Sequence, residues 1–248
     1  MRDRKPLLAV AAALAVVVAV SAIIFVYGVI PIPDFPSLAE QPQPIPGTVA
    51  FVRWEGRDGP CIYTIPAGGG QEERVLCGRF EGGPLAWTPE GNLALLGFQE
   101  FGGSLVLIVD PTTGWELDRF SLGREEATDV EQRFFRLSER RQEREDGTQL
   151  VFGGFESDEE AELALRHPNG STEELLRLQD VPRDYAFWDA QWSPDGEWVL
   201  LVDSEERLVV LDAANPEPRL LASRAAEPAW FIPGERTYTI DLQDLRRR

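Results

Sequence analysis

The sequence predicts an all-β domain of about four small antiparallel sheets, each of four short strands, behind one membrane-spanning helix. Three observations predict it: a strand-and-turn signature that recurs, a hairpin unit that recurs in step with it, and a run from Leu7 to Ile30 that carries no charge. Recurrence with a period of about 40–50 residues is the mark of a fold that stacks one supersecondary unit on the next.

The signature reads WTPEGNLALLGF from Trp87, WSPDGEWVLLVD from Trp192 and, in degenerate form, WFIPGERTYTIDL from Trp230. Its repeat residues are Trp87, Pro89 and Gly91, then Trp192, Pro194, Asp195 and Gly196, then Trp230, Pro233 and Gly234. Proline presets φ and glycine accepts positive φ, so each copy enforces a tight reversal between an inner strand and the next. Pro46 and Gly47 open a similar strand, GTVAFVRW, without the tryptophan. A further copy, FFRLSERRQEREDGTQLVFGG from Phe134, keeps the turn glycine at Gly147 behind a charged insertion. The turn glycines Gly47, Gly91, Gly147, Gly196 and Gly234 are spaced 44, 56, 49 and 38 residues apart, room for four short strands and their loops.

The second unit is an apolar run, a turn cluster and an alternating run. It appears as IYTIPAGGGQEERVL from Ile62, LVLIVDPTTGWELDRF from Leu105, LALRHPNGSTEELLRL from Leu163 and LVVLDAANPEPRLLA from Leu208. Asp110 to Gly114 and Asn169-Gly170 are hairpin-turn chemistry.

These residues resemble the TolB-like branch of the WD40-like (PD40 repeat) β-propellers, whose repeat reads W-S-P-D-G, a strand, then I-Y-x-x-D-x-x-G-G and a strand ending in Leu. The resemblance is close at Trp192 to Leu201, good at Trp87 to Leu96 and partial elsewhere, and it covers the chain from Gly47 onward. It implies a small β-propeller and says little about activity, since one frame carries many functions. Counting strands, the first set lacks an inner strand, and the chain closes with a spare one at Pro228 to Ile232. Pairing the two joins the ends and removes an open sheet edge, which gives four blades with TYTIDL from Thr237 left over. Family members usually have more blades, so an incomplete or laterally extended form stays open.

The organisation expected is a cytoplasmic tail at 1–6, a transmembrane signal anchor at 7–30, a proline-rich linker at 31–46 and the propeller at 47–248. The uncharged run is ~36 Å long as a helix, enough for a ~30 Å hydrocarbon core. Val20-Ser21-Ala22 offers small residues for a signal-peptide cut, but the apolar run continues through Val26, which favours the uncleaved anchor. Arg2, Arg4 and Lys5 precede the span while Asp34 and Glu40 follow it, so the N-terminus is expected inside and the domain outside the cell membrane. Prolines at 31, 33, 36, 42, 44 and 46 predict a semi-rigid stalk or a linker.

Cys61 and Cys77 are the only cysteines. If IYTIP pairs with ERVLC, equal-sum register sets Ile65 opposite Glu73, Tyr63 opposite Val75 and Cys61 opposite Cys77. That register and an oxidising compartment favour a disulfide over two buried thiols.

The formal charge of −18, with 42 acidic against 24 basic residues, argues against nucleic acid and anionic lipid as partners. Nucleophilic catalysis needs a histidine base, and the single histidine, His167, precedes a Pro-Asn-Gly turn where a solvated loop residue is the simpler reading. The acidic run Glu156 to Glu162 lacks the ligand spacing of a calcium loop and reads as a solvated loop. The charged insertion from Arg136 to Asp146 reads as a salt-bridged loop at a rim. Trp54 and Trp115 are expected to be exposed, and Trp87, Trp192 and Trp230 to pack between blades. No catalytic, metal or cofactor residues are assigned. The expectation is a non-catalytic binding module, its partner another envelope protein or a small ligand at the propeller funnel. Alternatives are an accessory or gating propeller of an envelope hydrolase, and a sensor domain of a membrane regulatory system.

Overall fold

The computed structural model describes residues 32–78, 83–98, 103–153, 160–182, 184–235 and 237–246. The expected span at 7–30 lies outside them, and no helix among the described residues is long and apolar enough to cross a membrane.

Four open antiparallel sheets make up the domain. The first joins β1 (Thr48–Trp54), β2 (Pro60–Pro66) and β3 (Glu73–Cys77) to β15 (Ala226–Phe231), in the order β15-β1-β2-β3. The second runs through β4 (Leu85–Trp87), β5 (Leu93–Phe98), β6 (Ser104–Val109) and β7 (Glu116–Leu122). The third holds β8 (Gln149–Gly153), β9 (Glu160–Arg166) and β10 (Thr172–Gln179), and the fourth β11 (Phe187–Trp192), β12 (Trp198–Asp203), β13 (Leu208–Asp212) and β14 (Arg219–Ala222).

Side chains alternate across a strand, so a sheet packed on both faces needs apolar residues at every position. The middle strands have them. In β12, Val199 and Leu201 join the core shared with the second and third sheets, whereas Leu200 and Val202 join the core shared with the first. In β1, Val49 and Phe51 face the fourth sheet, while Ala50 and Val52 face the second. Each sheet therefore packs on the next and the fourth on the first, a propeller-like arrangement.

The expected pairing of the last strand with the first sheet is present. Thr48 lies opposite Phe231, Val49 opposite Trp230 and Ala50 opposite Ala229. Trp230 is 1% exposed and donates its indole N–H to the Pro46 carbonyl at 3.0 Å. The remaining TYTIDL segment lies against the second sheet: Thr239 bridges Trp87, and the Ile240 N–H donates to the Trp87 carbonyl at 2.8 Å. It leads into a short helix, Leu242–Arg246.

The repeat turns form as their chemistry requires. Gly91 donates to Thr88 at 3.0 Å, Gly147 to Arg144 at 2.8 Å and Gly196 to Ser193 at 2.9 Å, each glycine closing its turn at positive φ. In the degenerate copy Glu235 donates to Ile232 instead, placing Pro233 and Gly234 (φ +94°) at the two central positions of a type II turn. These turns define one end of the domain, the turn end; β1 and β12 finish, and β4, β11 and β15 begin, at the other, the entry end.

Three expectations need correction. The third sheet has three strands, because the charged insertion supplies no inner strand: its residues 136–141 belong to a helix, α1 (Arg124–Arg141), and only 142–146 form the expected loop, where Arg144 pairs with Asp146. Ala127, Val130, Phe134, Leu137 and Arg141 are its buried residues, a helical stripe that strand alternation cannot present. The Glu126 carboxylate accepts the Gly123 N–H at 2.8 Å, and Arg140 and Arg141 sit at the negative end of the helix dipole.

Residues 33–46 are no free stalk. They run along the outer strand of the fourth sheet, with Leu38 donating to Leu220 and Leu220 to Pro36, both at 2.9 Å, and they bury Phe35, Leu38 and Ile45. Burial of apolar area at those three positions docks the segment onto the sheet.

The first hairpin keeps Cys61 opposite Cys77 but then slips: a bulge at Val75 sets Tyr63 opposite Arg74 and Thr64 opposite Glu73. The disulfide is formed, with Cα atoms 4.0 Å apart.

Candidate axial ligand site

The innermost elements of the four sheets, β15, β4, α1 and β11, converge and enclose a cavity of about 20 Å³ near the entry end, room for a single water-sized group. Arg141 forms its floor. At 6% exposure its guanidinium donates to the Pro228 carbonyl at 3.3 Å and the Leu85 carbonyl at 3.2 Å, so one side chain ties α1 to two neighbouring inner strands. Its Nε has no partner. Burial pushes its pKa down to about 10, against the pull of Asp189 and Glu227, and it stays charged at neutral pH.

Gln191, 3% exposed, donates to the same Pro228 carbonyl at 3.0 Å and leaves Oε1 unpartnered. Strand alternation explains why Asp189 and Gln191 both line the cavity while Ala190 and Trp192 enter the core. Asp189 accepts the Ala190 N–H at 2.8 Å, and burial pushes its carboxyl above the usual range. Glu227 is exposed at the mouth, yet crowding by protein on its inner side and the charge of Asp189 push its carboxyl up as well.

Backbone irregularities deliver both carboxylates. The β1–β15 register shifts between Ala50 and Val52, opposite Glu227 and Pro228, and Glu227 holds φ +50°. The β11–β12 register shifts between Phe187 and Asp189, beside Trp188. Bulges of this kind re-aim side chains at sheet rims. Chemically, the cavity offers one buried donor, one buried acceptor and two carboxyls whose pKa values are raised, chiefly by burial. Among the described residues there is no group of three or more His, Cys, Asp and Glu side chains that could hold a metal ion.

A second, open groove of about 400 Å³ lies at the turn end between Arg144, Asp146, Pro194, Asp195, Glu235 and Tyr238. Arg144 lies over the Trp192 ring at 5.0 Å and holds the Asp146 carboxyl well below its usual range. Tyr238 is pushed up to about 12, chiefly by burial, and donates to the Glu143 carbonyl at 3.0 Å.

Of the repeat and disulfide residues singled out in the sequence none lines the axial cavity, but Phe134 and the charged insertion, through Ser138 and Arg141, do, as does Pro228 of the spare strand; Pro194, Asp195 and Gly196 line the groove, with Arg144 and Asp146 of the insertion. Trp87, Trp192 and Trp230 are 2%, 0% and 1% exposed between sheets, and Trp54 and Trp115 are exposed at 59% and 73%. His167 sits at a hairpin tip 3.1 Å from Glu173. Glu160 and Glu162 belong to β9 rather than to a loop, with Glu162 accepting from Arg177 at 3.2 Å; residues 156–159 of that acidic run lie outside the described residues. The helical stripe ending at Arg141 was the available signal for the cavity floor. Nothing in sequence marks Glu227, whose placement depends on a bulge.

No family model and no curated protein matches the chain. Among solved structures it is similar to an uncharacterized protein of Listeria monocytogenes EGD-e, at 8% identity and a TM-score of 0.29, covering 76% of this chain and 52% of that one. It is similar to the acylaminoacyl peptidase of Pyrococcus horikoshii, at 13% identity and a TM-score of 0.27, covering 70% and 30%. It is also similar to the β-propeller domain of Cps50 (Swd1) from Myceliophteria thermophila, at 13% identity and a TM-score of 0.23, covering 72% and 55%. The chain thus spans about half the length of the Listeria protein, and superposition this loose carries no argument about activity.

Proposed function

We propose that this chain is a membrane-anchored extracytoplasmic β-propeller of the TolB-like kind, working as a non-catalytic binding module. The observation that carries the binding role is a pair of partnerless buried atoms, Arg141 Nε and Gln191 Oε1, on two residues that line one cavity where β15, β4, β11 and α1 meet. A buried polar atom without a partner costs about 1–3 kcal/mol, so a group that accepts from Arg141 and donates to Gln191 is held there. A hydroxyl does both, and the small volume admits one such group with the rest of the ligand outside, past Glu227. The anchor rests on the uncharged run from Leu7 to Ile30.

The test places a photo-crosslinking amino acid at Ser138, on the cavity lining, in the full chain in its native membrane. A discrete adduct, identified by mass and lost in Gln191→Leu, is expected. No adduct, or one indifferent to Gln191→Leu, would mean that the cavity holds structural water. The raised carboxyls of Asp189 and Glu227 favour one rival, acid–base chemistry. A ligand recovered chemically altered from the parent protein but intact from Asp189→Asn would establish that rival.

A further inference from the structure

We infer that the entry end of the domain lies against the lipid bilayer, touching it through Trp54 and Trp188, and that the turn end faces away. The inference rests on the anchor reading and adds an orientation to it.

The chain between span and domain is short and its far end is fixed. Arg207, in the turn between β12 and β13, donates to the Pro33 carbonyl at 2.7 Å and lies over the Phe35 ring at 5.0 Å. Arg207 is itself held by Asp203, which is 0% exposed. The uncharged run ends at Ile30, and the three steps from there to Pro33 reach at most about 11 Å fully extended. A helix that leaves the hydrocarbon at Ile30 therefore keeps the β12–β13 turn within about that distance of the bilayer boundary. That turn is at the entry end.

Two large aromatic side chains stand exposed at this same end: Trp54, the last residue of β1, at 59%, and Trp188, on the bulge opening β11, at 63%. Tryptophan is the residue that settles at a membrane–water interface, apolar body inward and N–H toward the headgroups. Charge decides the kind of surface. Among the described residues Glu55, Asp58, Glu125, Asp184, Glu205 and Glu206 stand at this end against Arg57, Arg124 and Arg224, so anionic headgroups are repelled and a zwitterionic surface is the partner. The exposed Trp115, at the turn end, then points away from the lipid.

The disulfide uses both cysteines, so one introduced cysteine is the sole free thiol. Full chain carrying Glu205→Cys, at the entry end, or Thr112→Cys, at the turn end, is labelled with an environment-sensitive fluorophore and reconstituted into phosphatidylcholine vesicles containing a headgroup-region nitroxide lipid. Several-fold stronger quenching is expected at position 205 than at 112, weakened when Trp54→Ala and Trp188→Ala are combined. Equal quenching at both positions in vesicles that carry the protein overturns the orientation while the anchor stands. Strong quenching at 205 that the tryptophan double variant leaves unchanged overturns the tryptophan contact. Protein that fails to float with the vesicles, or washes off in alkaline carbonate, overturns the anchor and the orientation with it.

Discussion

Val49 lies directly opposite Trp230, so the first strand of the domain and its last are neighbours in one sheet although almost the whole domain separates them in the chain. β1 is thereby an interior strand, paired on one side with β15 and on the other with β2. β15 in turn puts the Ala229 carbonyl where the Trp87 indole N–H donates to it at 2.9 Å, tying the first sheet to the second.

Truncation after Ser223 should therefore leave β1 as an exposed apolar edge, which templates aggregation. Loss of the monomer on size-exclusion chromatography, or of the cooperative melt, is expected. A truncated domain that stays monomeric with an unchanged melting temperature would show that the β15 pairing contributes nothing.

Arg141→Met should destabilise the domain by about 2–4 kcal/mol, because it removes two charged hydrogen bonds in the interior, taking the Arg141 donor from the Leu85 carbonyl and leaving the Pro228 carbonyl with Gln191 alone. Denaturant unfolding measures it. Arg144→Met, which removes an exposed ion pair and a ring contact at the groove, should cost well under half as much.

Stability should fall on the alkaline side of the ordinary carboxyl range. Asp189 and Glu227 have folded-state pKa values raised above their unfolded ones, so their contribution is fully present below the unfolded values, about pH 4, and is lost as pH rises through the folded ones. Asp146 acts in the opposite sense, its contribution lost as pH falls. Melting temperatures across pH 4 to 8 should decline less steeply for Asp189→Asn than for the parent. An identical decline in both would remove Asp189 from the account.

Reduction of Cys61–Cys77 should lower stability by about 3 kcal/mol in the chain-entropy model, given a loop closed over a separation of 16 residues. Melts with and without reductant check it, with Cys61→Ala/Cys77→Ala as the reductant-insensitive control.

What was legible in the sequence is what local chemistry dictates. Pro89 with Gly91 and Pro194 with Gly196 commit the chain to reversals whatever surrounds them, and unbroken apolar runs such as WVLLVD from Trp198 require sheets covered on both faces. The cysteine pairing was expected from an unbroken hairpin register, but the pairs next to the turn are displaced by one residue, and it is the bulge at Val75 that restores Cys61 opposite Cys77. Local rules failed where a distant surface made the choice. The segment Arg124–Arg141 satisfies a turn-spacing pattern that elsewhere precedes a strand, yet its apolar stripe fits the gap beside β6, β7 and β11 only as a helix. The prolines of 33–46 set an extended backbone by themselves, but only the groove along β14 determined that Phe35 and Leu38 would be buried there. The axial cavity belongs wholly to this second kind: Arg141, Asp189, Gln191 and Glu227 come from three elements far apart in the chain, and what brings them together is packing of whole sheets, which no short-range pattern encodes.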